Sequence, residues 1–363
     1  MKKTNPSSTM TNPEIIHRLQ AGVEPLLAWY AQVGRELPWR VGKDPYRIWV
    51  SEIMLQQTRI ETVKPYFARF LAALPDVQAL SNASEDELLK LWQGLGYYSR
   101  VRNMQKAARV IMEQGGVFPH TASELRKLPG IGDYTAGAIA SIAFGEKAPA
   151  VDGNVLRVVA RYLDDHDDVM KPAVRRRVSE ALSQVYPDGR EGDFTQALME
   201  LGEVICLPGS ALRCEVCPLK ALCEGKRQGT AAELPCRTAK KPPKNQERTV
   251  LILRCGDKVA LRRRPDKGLL AGLWELPGWD GFLPETEVQK QVTAMGLHVT
   301  ARQSAGEGVH VFSHVRWQMK GILCEVEKEG GDFLWTDQKG LKEQWALPSA
   351  FRCFFPFLPG GKD

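Results

Sequence analysis

Leu128-Pro-Gly-Ile-Gly-Asp-Tyr-Thr-Ala136 lies between two stretches of helical periodicity, and its glycines Gly130 and Gly132 allow the chain to turn sharply and expose backbone N–H groups. Such amides at the start of a helix form a phosphate cradle that ignores base identity. A Gly-x-Gly pair taken alone is more often a plain helix-helix turn. Twenty residues past Gly132, Val151-Asp152-Gly153-Asn154 opens a further helix running through Val155 to Leu163. Asp152 is the natural N-cap of that helix, and capping is compatible with a chemical role.

Around this hairpin, from Glu14 to Cys206, apolar residues recur at spacings of three and four, with capping boxes at Ser84 to Glu87 and Thr121 to Glu124. This half reads as all helix. Residues 237–248 are basic, carry two prolines and have no apolar face, which predicts an extended, solvated linker. Beyond it, Thr249–Arg254, Lys258–Arg263 and Val315–Val326 read as strands, with Gly256-Asp257 as a turn and Glu285–Met295 as the best helix. The expected domains are therefore a helical one over residues 1–236, a linker over 237–248 and an α+β one over 249–363.

A chain of 363 residues accommodates two cores, and its 43% hydrophobic and 25% charged content is that of a globular protein. The start, Met1-Lys2-Lys3, is followed by no apolar run, so a signal peptide is not expected, and no stretch could span a bilayer. The net charge of +6 favours an anionic partner without deciding it. Of the eight cysteines, Cys206, Cys214, Cys217 and Cys223 crowd into the pattern Cys-x7-Cys-x2-Cys-x5-Cys. Two disulfides within so short a span would be strained, whereas four thiolates suit zinc or a cubane iron-sulfur cluster; spacing alone leaves both open. Cys236, Cys255, Cys324 and Cys353 read as ordinary thiols.

Asp44 to Arg59 reads as one helix with a proline in its first turn. Glu52 has Ile48, Trp49 and Leu55 at helical neighbour spacing, which would set its carboxyl against apolar surface and raise its pKa, as a general acid requires. A surface salt bridge to Arg47 or Arg59 is the commoner fate of a helical glutamate.

The hairpin and downstream aspartate together resemble the helix-hairpin-helix glycosylases of the endonuclease III superfamily. Trp49-Val-Ser-Glu-Ile-Met-Leu-Gln-Gln-Thr58 looks like the catalytic-helix signature of MutY-type adenine DNA glycosylases, and Gly94-Leu-Gly-Tyr-Tyr-Ser-Arg100 and Leu37-Pro-Trp-Arg40 match two further stretches of that family. The resemblance implies an all-α helix-hairpin-helix domain with a 4Fe-4S cluster on the four cysteines. The family's usual first gap is six residues rather than seven, so Leu207 to Arg213 is expected to bulge. It implies adenine excision opposite 8-oxoguanine or guanine in double-stranded DNA, by a cytoplasmic, nucleoid-associated bacterial monomer that needs no catalytic metal.

By the same resemblance, Glu52 protonates the flipped adenine and Asp152 stabilises the sugar cation, with Tyr134 and Asn154 positioning them. Arg35 and Gln196 would bond the base. Gln57 and Tyr97 would wedge the duplex, Thr58 and Leu95 would lie near the opposing lesion, and Gly130 and Gly132 would cradle phosphate. Lyase members carry a lysine where this chain has Tyr134, and a phenol cannot form their imine. That argues against the alternative, a bifunctional glycosylase and lyase acting on oxidised pyrimidines. The paired carboxylates argue against a DNA-binding protein without activity.

Gly268-Leu-Leu-Ala-Gly-Leu-Trp-Glu-Leu-Pro-Gly278 resembles the start of a nudix-like domain, yet the metal-binding run of glutamates is missing after Gly278. The domain is expected to bind without cutting, with Phe312-Ser-His314 resembling a lesion-sensing loop in which Ser313 and His314 lie near 8-oxoguanine. Zinc at His310 and His314 would lack further ligands.

Overall fold

The computed structural model describes residues 12–239 and 242–361; the first eleven residues, linker positions 240 and 241 and the last two residues lie outside the described residues. The helical elements run α1 (Asn12–Val33), a 3-10 turn (Pro38–Arg40), α2 (Pro45–Leu55), α3 (Ile60–Ala73), α4 (Val77–Asn82), α5 (Glu85–Trp92), α6 (Ser99–Glu113), α7 (Ala122–Leu125), α8 (Asp133–Phe144), α9 (Gly153–Leu163), α10 (Pro172–Ser183), α11 (Glu191–Val204) and α12 (Glu224–Gln228). Both expected N-caps form: the Ser84 hydroxyl accepts from Glu87 N–H at 3.2 Å, and Thr121 accepts from Glu124 N–H at 3.3 Å. Helix α2 stops at Leu55, four residues short of Arg59, because Gln57 adopts a left-handed backbone conformation at φ 61°.

The chain divides into two compact units. One takes residues up to Ser81 together with Asn103–Ala239, and the other takes Asn82–Arg102 together with the chain beyond Ala239. The core of the first joins Leu26 and Leu27 of α1, Val155, Val158 and Val159 of α9, Val178 and Leu182 of α10, and Phe194 and Leu201 of α11. Fully burying each such side chain contributes about 1.5–3 kcal/mol before the cost of ordering the chain.

The second unit holds a mixed sheet in the order β3-β2-β1-β6-β5, built from β1 (Lys244–Cys255), β2 (Lys258–Arg263), β3 (Trp274–Glu275), β4 (Gly278–Asp280), β5 (Val299–Val311), β6 (Val315–Val326) and β7 (Leu334–Thr336). Strand β1 lies parallel to β6, in register from Lys244 opposite Val315 to Arg254 opposite Glu325. The ladder therefore begins inside the segment expected to be linker, since pairing with β6 satisfies backbone groups that the sequence alone leaves to water. Val250 and Ile252 join Phe351 and Phe354 on one face, while Leu251 and Leu253 join Val288 and Val292 of α13 (Glu285–Ala294) on the other. Strand β5 escapes sequence pattern because it is an edge strand with most residues exposed, leaving no apolar alternation to read. Helix α5 belongs to this unit: Lys90 Nζ donates to the Leu341 carbonyl at 2.7 Å, just past α14 (Gln338–Glu343), and Gln93 Nε2 donates to the Leu347 carbonyl at 2.9 Å. Among the described residues, no helix is long and apolar enough to cross a membrane.

Candidate active site and cysteine loop

Helix α2 starts on Asp44, whose side chain accepts from Tyr46 N–H at 2.9 Å, with Pro45 in the first turn. That start sets Ile48, Trp49, Glu52 and Ile53 into the interior. Glu52 is 6% exposed, and burial pushes its pKa up to about 7, assisted by the nearby Asp152 and opposed by the Tyr134 hydrogen bond and by Arg40. The Tyr134 hydroxyl donates to Glu52 Oε2 at 2.5 Å. The surface ion pair with Arg47 or Arg59 does not form, because α2 turns this position inward.

Tyr134 sits in the first turn of α8, directly after the hairpin. Gly130 holds φ 77°, and a Cβ there would come within 2.5 Å of the Asn103 side chain, so the turn requires glycine twice over. Further along α8, Gly137 lets the chain at Pro149 approach so closely that a Cβ would stand 2.3 Å from its carbonyl oxygen. This approach brings the following Asp152 to the same cleft.

Asp152 is the N-cap of α9, with Oδ1 accepting from Val155 N–H at 2.7 Å and Oδ2 from Asn154 Nδ2 at 2.9 Å. Burial raises its pKa, while hydrogen bonds from the Val155 and Asn154 backbone N–H groups and the charge of Arg157 act in the opposite direction. Arg157 Nη2 donates to Asn154 Oδ1 at 2.8 Å, and its Nε donates to the Cys206 carbonyl at 2.8 Å, so hydrogen bonds link the carboxylate to the cysteine loop.

These groups line a cavity of about 90 Å³, together with Arg40, Ser51, Gln196, Met199 and Glu203. Glu52, Tyr134, Asp152, Asn154 and Gln196 are thus gathered at one cavity. Arg35 is not among the lining residues: its guanidinium is taken by Glu200, at 2.9 Å from Nη2 to Oε2, and by Glu203 at 2.6 Å. Two carboxylates outcompete an open cavity for an arginine, and Arg40 lines the cavity in its stead. Sequence reasoning also missed Glu203 and Met199. Their positions, seven and three residues after Gln196 on α11, put them on its face and could have disclosed them.

Gln57 follows α2 with Thr58, and Tyr97 likewise has positive φ, at 47°. For residues with a Cβ this conformation stores strain of about 1 kcal/mol or more, a cost commonly met at ligand-contacting turns. Within the second unit the Tyr97 hydroxyl lies 2.9 Å from the Ser313 hydroxyl, Leu95 is buried, and His314 follows in the β5–β6 turn.

Cys206, Cys214, Cys217 and Cys223 line one pocket, with Arg161 beside them donating to Cys206 Sγ at 3.4 Å. Burial raises the Cys217 and Cys223 thiols and the neighbouring cysteines raise them further, a repulsion that a multiply charged cationic centre would offset. Among the described residues no three His, Cys, Asp or Glu groups stand within reach of one metal ion. The all-thiol donor set around a shared pocket has the chemistry of a zinc site or of an iron-sulfur cluster. The seven-residue gap closes as a loop through Arg213 N–H to the Ile205 carbonyl at 3.1 Å.

Residues 50–184 match the HhH-GPD superfamily of base excision DNA repair proteins, and residues 248–355 match the NUDIX domain. An adenine DNA glycosylase from Rattus norvegicus is 34% identical over 91% of this chain and 77% of its own length. One from Buchnera aphidicola subsp. Baizongia pistaciae is 33% identical over 84% and 86%. The chain is 35% identical to the adenine DNA glycosylase of Homo sapiens over 83% of its length and spans 66% of that relative. Among solved structures, a thermostable thymine-DNA glycosylase overlays with a TM-score of 0.53 at 28% identity, covering 58% of this chain and 98% of that one. A trapped endonuclease III–DNA covalent intermediate overlays at 0.50 and 23% identity, covering 61% and 99%, a likeness of fold.

The helical unit and these matches define a base excision repair glycosylase of the helix-hairpin-helix class with a nudix-like domain appended. More narrowly, the chain belongs to the adenine DNA glycosylase family, hydrolases that act on N-glycosyl bonds.

Proposed function

We propose that this chain removes adenine mispaired with 8-oxoguanine or guanine in duplex DNA, as a monofunctional glycosylase. The observation that carries the reading is the convergence of Glu52, Tyr134 and Asp152 on one cavity. A stacked base is out of reach of any such cavity, so adenine must be everted, with Gln57 and Tyr97 wedging the duplex, Thr58 and Leu95 near the opposite base, and the amides around Gly130 and Gly132 on phosphate. Glu52 gives its proton to adenine N7. The bond between N9 and C1′ then breaks with its electron pair leaving on the base, and the sugar becomes an oxocarbenium ion. Asp152 stabilises that cation, and water adds at C1′ as its proton departs to solvent. Asn154 holds Asp152 and Gln196 meets the base edge. Tyr134, with no amine to offer, supports hydrolysis without strand cutting.

On a duplex holding adenine opposite 8-oxoguanine, the strand is expected to break at the adenine after alkali and scarcely before it. Breakage without alkali would favour the lyase alternative, and an intact strand after alkali would end the reading. Ser313→Ala is expected to shrink the preference for 8-oxoguanine over guanine by about tenfold, the worth of one well-placed hydrogen bond; an unchanged ratio of excision rates removes Ser313 from lesion sensing.

Cys206, Cys214, Cys217 and Cys223 would hold one 4Fe-4S cluster, which supplies an organising centre for its loop rather than a step of the reaction. Freshly purified protein should be brown, with broad visible absorbance and both iron and acid-labile sulfide. A colourless protein containing zinc would overturn this assignment.

A further inference from the structure

Behind the cavity lies an ion cluster that the proposed chemistry does not use. The Glu200 side chain, 1% exposed, accepts from Arg35 through both Nε and Nη2, and from Arg40 Nη2 at 2.7 Å. Arg40 also donates through Nη1 to the Arg35 carbonyl at 3.1 Å, and its guanidinium stands 5.6 Å from the centre of the Tyr30 ring. Of the two arginines, Arg40 alone reaches the cavity wall that it shares with Glu52. A guanidinium next to a buried carboxyl pairs with it unless a better acceptor holds it away, since an unpaired buried carboxylate is costly.

We propose that Glu200 is a positioning residue: it anchors the Arg40 guanidinium, with Arg35 as the second strut, so that Arg40 does not pair with Glu52 and Glu52 keeps the proton it delivers to adenine. This rests on the reading of Glu52 as the acid. The charged and titratable groups facing Glu52 are Tyr134 from α8, Asp152 from the cap of α9, Arg40 from the 3-10 turn and Glu203 from α11. Tyr134 donates to the carboxyl and Asp152 and Glu203 favour its protonated form, which leaves Arg40 as the group that opposes protonation through space. Burial works against a charged Glu200, yet the hydrogen bonds from Arg35 and Arg40 hold it below the ordinary carboxylate range, so it remains an anion wherever the enzyme works.

The test is single-turnover excision of adenine opposite 8-oxoguanine across about pH 5 to pH 9. Glu200→Gln is expected to move the alkaline limb of the profile down by about one pH unit, so that its deficit is about tenfold larger at high pH than at low pH. The double variant Glu200→Gln, Arg40→Met is expected to return the limb to its wild-type position or above it, whatever its overall rate. A deficit that is the same factor at every pH would make Glu200 merely structural and overturn the proposal, as would a limb that stays low in the double variant. If Glu200→Gln does not fold, Glu200→Asp, which keeps the charge and retracts it by one methylene, should shift the limb in the same direction by less; a limb at the wild-type position overturns the idea. Wild-type protein that released no adenine would remove the acid assignment as well, whereas an active wild type with a uniform deficit in Glu200→Gln removes only the role of Glu200.

Discussion

Glu52→Gln is expected to lose adenine excision by at least about 100-fold, the usual contribution of a general acid, and to gain stability above neutral pH. Glutamine keeps an oxygen to accept from Tyr134 but has no proton of the right acidity for adenine N7. The stability gain follows from the raised pKa. Between the ordinary carboxyl value of 4.5 and about 7, folded protein holds a proton that unfolded protein has released, so stability falls as pH rises through that window. Above it the wild type carries the full cost of a buried carboxylate, about 3 kcal/mol on the shift of Glu52, which glutamine does not incur. Urea melts should therefore find the variant more stable than wild type near pH 8 and nearly level with it near pH 4. The wild-type excision rate should fall as pH climbs through about 7. Equal melts near pH 8, or excision surviving in the variant, would sink the assignment of Glu52 as the buried acid.

Asp152→Asn is expected to cost about 100- to 1000-fold in excision with the fold and DNA affinity nearly unchanged, the size typical of a lost electrostatic partner at a transition state. Asparagine caps helices about as well as aspartate, so the bond from Val155 N–H survives and α9 keeps its start. What disappears is the negative charge opposite the developing oxocarbenium ion. Binding of an uncleavable duplex, followed by fluorescence anisotropy, separates the two effects. Tight binding with lost turnover is the expected result, and wild-type turnover would show that the cation needs no carboxylate at this position.

Much of the site could be read from short stretches of chain. The hairpin glycines and the cap at Asp152 each follow from a few neighbouring residues, as do the helix caps at Ser84 and Thr121 and strands β2 and β6. The positions that escaped depend on partners remote in sequence. Arg35 and Arg40 lie five residues apart, and nothing local indicates that Arg35 pairs with both Glu200 and Glu203 while Arg40 pairs with Glu200 and also lines the cavity. Likewise, the attachment of α5 to the sheet-bearing unit rests on bonds to carbonyls near Leu341 and Leu347. The edge strand β5 has no burial pattern of its own, and only its pairing with β6 reveals it.

By itself, then, the sequence determined the helical and α+β halves, the four-thiol loop and the chemical kinds of group brought to the site, because helix periods, caps and turns are governed by contacts between near neighbours. Tertiary structure alone decided which guanidinium faces the acid, which unit claims α5, and that Glu52 is buried against Tyr134 across the cleft. Those outcomes come from competition among charges and surfaces that meet only after the chain has packed, where burial strengthens each electrostatic preference beyond what an extended chain in water would feel.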